Sequence, residues 1–123
     1  MKYDLKKQLR SFGYAWQGIQ GCIGKEQNLS FHLIATAVVI IAGFAFGITR
    51  TEWMIIILCI GVVIAAELFN TAIEKLVDLV SPDRPPIAGQ VKDIAAGAVL
   101  VCAVAAAIIG LLIFVPYLTR FLL

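Results

Sequence analysis

The chain has 123 residues, of which 61% are apolar and only 15% charged, with a formal net charge of +2. That length suits one domain, residues 1–123, and so small a charge gives no footing for nucleic-acid binding. The apolar residues fall in long unbroken runs, which argues against a soluble core and for an all-α integral membrane protein.

Cys22, Cys59 and Cys102 are widely spaced, without a C-x-x-C, and read as small packing residues with no metal or disulfide role. No cleavable leader is expected ahead of the first apolar run, which starts near residue 29.

Residues 3–25 place Leu5, Leu9, Phe12, Trp16, Ile19 and Ile23 at alternating spacings of four and three, a narrow helical stripe. Lys6, Lys7, Arg10 and Tyr14 lie opposite. A basic amphipathic segment beside membrane spans reads as a helix lying in the headgroup plane, the alternative being a cytosolic helix packed on a partner. Gly13, Gly18, Gly21 and Gly24 weaken it as an isolated helix and predict a break near Gly24.

Past the polar junction 24–28, residues 29–48 carry no formal charge at neutral pH. Those 20 residues suffice to cross about 30 Å of hydrocarbon. His32, one turn inside, reads as a satisfied helix-end histidine and not as a ligand. A short turn, Thr49-Arg50-Thr51-Glu52, leads to a second span over 53–80.

That second span holds the most informative stretch. Glu67, Asn70, Glu74 and Asp78 fall within a stripe roughly 80° wide on one helix. Glu67 lies 14 residues past Trp53, or about 21 Å, so roughly 9 Å of hydrocarbon separates it from the far surface. Glu74 then sits close to the interface, where lipid headgroups lie. An ionisable group below a membrane surface is costly and reads as functional, although a polar seam that only packs helices would look similar.

Ser81-Pro82-Asp83-Arg84-Pro85-Pro86 marks a loop, and the third span is expected over 94–118, with Pro116 and Tyr117 at its far end. Ala96, Ala103, Ala107 and Gly110 recur along it and predict close approach of helix backbones.

Lys2, Lys6, Lys7, Arg10, Lys25, Lys75, Arg84 and Lys92 fall on the side of the N-terminal segment and the second loop, against Arg50 and Arg120 on the other. This asymmetry predicts a cytoplasmic N-terminus and an external C-terminus. Glu26, Glu74, Lys92 and Asp93 then gather at the cytoplasmic face, with Glu67 beneath them.

Two carboxylates at a water-accessible rim suit Mg²⁺, which is usually held by one or two carboxylates plus phosphates. A third, deeper and less hydrated, suits a general base. Lys92 can neutralise phosphate charge, and Asn70 can orient Glu67 or an acceptor hydroxyl. These parts fit metal-assisted phosphoryl transfer to a membrane alcohol, although no Walker A or protein-kinase motif is present.

Two runs, Glu67-x-x-Asn70-Thr71-Ala72-Ile73-Glu74-x-x-x-Asp78 and Val91-Lys92-Asp93-Ile94-Ala95-Ala96-Gly97-Ala98, closely resemble the prokaryotic diacylglycerol kinase and undecaprenol kinase family. The resemblance takes in nearly the whole chain, including Gly13-Tyr14-x-Trp16-x-Gly18 and Glu26. It implies a homotrimeric helical bundle in the bacterial inner membrane, each subunit with a surface helix and three spans, and sites shared between subunits. It implies ATP and Mg²⁺, with Glu67 as base, Asn70 supporting it, and Glu26 and Glu74 on the metal. Lys7, Tyr14, Asp83, Lys92 and Asp93 join Glu26 and Glu74 at the nucleotide, while Arg10, Trp16 and Ala96 join Glu67 at the lipid. Ala15 stands where some members carry serine, and Asp83-Arg84-Pro85 matches a nucleotide loop only in part. Ala96-Gly97 looks more like undecaprenol-type members, which tilts the expected substrate from diacylglycerol toward undecaprenol. A small proton-coupled transporter or a non-catalytic subunit remain as alternatives, although a transporter needs neither Lys92-Asp93 nor carboxylates clustered at one interface.

Overall fold

The computed structural model describes residues 2–123. Four helices follow in order: α1 (Leu5–Cys22), α2 (Gln27–Phe46), α3 (Arg50–Val80) and α4 (Pro86–Leu122). No strand occurs among the described residues. Three of the helices, α2, α3 and α4, are long and apolar enough to cross a membrane.

Each boundary has a local cause. Asp4 caps α1 by accepting the Lys7 amide at 3.3 Å, and Gly24, at φ 78°, takes the chain out of that helix as its position predicted. Gly47, at φ 63°, ends α2 in the left-handed conformation, and the Gly47 and Ile48 amides both turn back onto the Gly43 carbonyl. Thr49 and Glu52 then form a capping box, with the Glu52 carboxylate accepting from the Thr49 amide at 2.9 Å and the Thr49 hydroxyl accepting from the Glu52 amide at 3.2 Å. The α2–α3 turn is therefore tight.

The ends of α4 differ from the sequence expectation. The helix begins at Pro86, eight residues ahead of the expected span, because proline at a first helical position loses only an amide that would be unpaired anyway. Lys92 and Asp93 consequently ride on helix. At the other end α4 runs through Pro116 to Leu122, and the Thr119 hydroxyl donates to the Pro116 carbonyl at 2.9 Å within that last turn.

The spanning helices pack antiparallel. Gly43 of α2 faces Trp53 of α3, while Tyr117 of α4 donates a hydrogen bond to Glu52 and Lys92 of α4 meets Asp78 near the other end of α3. The apolar core lies toward the α2–α3 turn, where Ile48, Ile56 and Ile113 are buried with Trp53, Phe46 and Phe114 packed around them. Toward the opposite end α3 buries polar residues instead: Glu67, Asn70 and Thr71. That inversion marks the site. Most remaining apolar side chains face outward, Phe44 and Leu112 among them, as membrane-facing helices require.

Candidate active site

The polar stripe of α3 is real and it is graded in depth. Glu67 is 3% exposed, Asn70 and Thr71 are each 5% exposed, and Glu74 is half-buried. Seven residues separate Glu67 from Glu74, which is about 10 Å along the axis. Asn70 lies between them and donates through Nδ2 to Oε1 of Glu74 at 3.3 Å. Its other amide atom, Oδ1, is buried and has no hydrogen-bond partner among the described residues. A buried acceptor left open is costly and calls for a ligand or a partner group.

Glu26 lies at the N-cap of α2, half-buried, and its side chain makes no cap hydrogen bond, so its carboxylate is uncommitted. Because α2 and α3 run antiparallel, Glu26 at the start of α2 lies toward the same end of the bundle as Glu67 and Glu74. The structure thus gathers carboxylates of α2 and α3 around one end of the bundle. His32 is the residue that sequence reasoning passed over: its Nε2 stands 3.9 Å from Oε1 of Glu67. The signal was available. An antiparallel hairpin turning at 47–49 brings residue 32, 15 positions before Gly47, to nearly the level of residue 67, 18 positions after Thr49.

Lys92 and Asp93 lie on the second turn of α4. Lys92 bridges to Asp78 of α3 at 2.6 Å, while Asp93 is exposed. Asp78 therefore leaves the group of carboxylates and serves as the counter-charge for this lysine. Beside the pair a cavity of about 270 Å³ is walled by Arg84, Pro85, Ala88 and Lys92. Asp83 is exposed on the adjoining loop. Lys7, Arg10, Tyr14 and Trp16 are exposed along α1, which touches the rest of the chain at α3, and Ala96 is exposed on α4. None of these side chains makes a hydrogen bond or ion pair with Glu67, whose polar partner among the described residues is His32.

A second hollow, of about 530 Å³, runs between α2, α3 and α4. Its wall is almost wholly apolar, with Val39, Val63, Ala103, Ala107 and Phe114, and His32 and Thr36 are its polar members. Three of the four small residues singled out on α4, Ala103, Ala107 and Gly110, floor this groove, and a Cβ placed on Gly110 would meet nothing within 4 Å.

No set of three or more His, Cys, Asp or Glu side chains converges as a metal cage among the described residues. What the chain offers is oxygen: two carboxylates, on Glu26 and Glu74, and the open Oδ1 of Asn70. Such a donor set suits a hard cation that takes its remaining ligands from phosphates and water. Cys22, Cys59 and Cys102 are free thiols, each half-buried.

Comparison with known proteins identifies the class to which this arrangement belongs. The family described as prokaryotic diacylglycerol kinase matches residues 13–114, and the chain belongs to that family of lipid kinases. Among individual relatives, the undecaprenol kinase of Bacillus subtilis (strain 168) is 47% identical over 115 residues, 94% of each chain. The diacylglycerol kinase of Synechocystis sp. is 36% identical over 109 residues, 88% of this chain and 62% of that relative. The diacylglycerol kinase of Escherichia coli (strain K12) is 23% identical over 100 residues, covering 81% and 82%.

Proposed function

We propose that this protein transfers the γ-phosphoryl group of ATP to the hydroxyl of a membrane lipid alcohol, with undecaprenol preferred over diacylglycerol. The observation that carries the proposal is the Glu67 carboxylate, 3% exposed on a membrane helix, at the deep end of a polar stripe that rises through Asn70 to Glu74. Water-soluble nucleotide and membrane-bound alcohol must meet across an interface, and a stripe graded in depth serves both.

In this reading Glu67 accepts the proton of the lipid hydroxyl as that oxygen forms its bond to the γ-phosphorus and the bond to the ADP oxygen breaks. The step is chiefly one of positioning and charge neutralisation. Glu74 and Glu26 hold the Mg²⁺ that accompanies ATP, with Asn70 fixing the Glu74 carboxylate. When bound, that ion neutralises phosphate charge. Lys92 and Asp93 contact the nucleotide from α4, joined by Asp83, Lys7 and Tyr14, while Arg10, Trp16 and Ala96 flank the lipid. The preference for undecaprenol rests on Ala96-Gly97 and on the name of the 47% identical relative.

The chain is read as a homotrimer in the bacterial inner membrane with its N-terminus and active sites on the cytoplasmic side. Two features support this: the eight-to-two distribution of basic residues, and α1 side chains left exposed within one chain, open to a neighbouring subunit. The test is phosphorylation of undecaprenol by the purified protein with MgATP, beside the same assay on Glu67→Gln. Loss of a general base lowers kcat by about 10²–10⁴-fold, with MgATP binding largely spared. A Glu67→Gln protein working at the wild-type rate would remove Glu67 from the role.

A further inference from the structure

His32 has no role in the reaction as drawn so far, yet it is the partner the structure gives to the Glu67 carboxylate. Nε2 stands 3.9 Å from Oε1, longer than a hydrogen bond and short enough for one to form by rotation of either side chain. The imidazole is free to serve. The Thr36 hydroxyl donates at 2.8 Å to the backbone carbonyl of His32 and leaves both ring nitrogens alone. Phe31 meets the ring edge-on, with centroids 5.5 Å apart and planes at 75°. His32 also lines the apolar groove between α2, α3 and α4, so it stands where that groove meets Glu67.

A buried carboxylate with no fixed neighbour is a poor base, because it can rotate and its two oxygens are equivalent. We propose that His32 is the positioning residue for Glu67: the imidazole engages one carboxylate oxygen from α2 and thereby turns the other toward the acceptor hydroxyl. This rests on the reading of Glu67 as base. His32 exchanges no proton in the step. The hydroxyl proton passes to the free oxygen of Glu67, and the electron pair left on the acceptor oxygen forms the new bond to phosphorus as ADP departs.

The test is a double-mutant cycle on the purified, lipid-reconstituted protein, measured at saturating undecaprenol with MgATP varied. His32→Ala is expected to lower kcat by about 10- to 100-fold, as loss of an orienting partner typically does, with the KM for MgATP within about twofold of wild type. His32→Gln, whose amide offers an N–H at similar reach, should recover most of that loss. Should His32→Ala fail to fold, His32→Leu, close in volume but without an N–H, takes its place in the cycle with the same expected loss. In a Glu67→Gln background neither change should lower the rate further, because there is no base left to orient. Wild-type kcat in His32→Ala would overturn the proposal, as would a loss that multiplies in full with that of Glu67→Gln. Because Glu67→Gln is measured alone, the two ideas separate. Full activity there removes the base itself, whereas a dead Glu67→Gln beside a fully active His32→Ala removes only the orienting role.

Discussion

Glu74 and Lys92 are held by quite different neighbours, and their substitution should be felt differently. Glu74 is fixed by Asn70 and stands about 10 Å above Glu67 along α3. Glu74→Gln is therefore expected to weaken Mg²⁺ and nucleotide binding together, raising the KM for MgATP, in contrast to the expected fall in kcat for Glu67→Gln. Titration of MgATP at several free Mg²⁺ concentrations checks this. Lys92 is 31% exposed and its partner Asp78 is 55% exposed. An ion pair so open to water contributes at most about 1 kcal/mol to stability. Asp78→Asn should thus leave Tm nearly unchanged and kcat/KM within about threefold, since a released lysine still reaches the nucleotide. Lys92→Ala should lower kcat/KM for MgATP by about 10- to 100-fold, the usual scale for losing a charged hydrogen bond. Equal losses in both variants would make the bridge itself the functional element.

At the scale of helices, the α2–α3 turn is the most constrained joint. A Cβ added to Gly43 would come within 2.6 Å of the Trp53 ring, which is itself held by Phe44 at 4.9 Å between centroids. Gly43→Ala should accordingly destabilise the protein by about 1–3 kcal/mol, seen as a lower Tm in detergent. This joint lies at the far end of the bundle from Glu67, so the folded fraction should keep its kcat. The helices themselves were legible in the sequence because each apolar run is long and is bounded by breaks near Gly24, at 49–52 and at 81–86, although α2 ends earlier than expected, at Phe46, and Arg50, Thr51 and Glu52 belong to α3. The ends of α4 were less so. Proline was taken as a stop at both ends, whereas it starts the helix at Pro86 and lies within it at Pro116. Within the site, the α3 stripe could be read from spacing alone, because four residues of one helix need no knowledge of packing. The contacts between helices, His32 with Glu67, Lys92 with Asp78 and Tyr117 with Glu52, depend on the antiparallel register, which periodicity within one segment does not contain.

For the whole molecule, three crossings place the two termini on opposite faces, and the basic residues predict the N-terminus inside. Cysteine labelling near each end in intact cells should find the C-terminus alone accessible from outside. Both ends on one side would contradict three spans. A panel of diacylglycerol and polyprenols should show phosphorylation of undecaprenol exceeding that of diacylglycerol, and the reverse order would move the substrate without touching the fold.

The two links between α3 and α4 have a mechanical consequence. Glu52 and Asp78 lie 26 residues apart on one helix and Lys92 and Tyr117 lie 25 apart on the other, intervals of about 39 Å and about 38 Å. Linked near both ends, the pair is biased toward meeting a bilayer of the wrong thickness by tilting as one unit. Tilt carries Glu67 up or down against the headgroups while its distance from Lys92 in the same unit stays fixed. Catalytic rate should then peak in vesicles of intermediate acyl-chain length, and cutting the link nearer the C-terminus with Tyr117→Phe should broaden that peak.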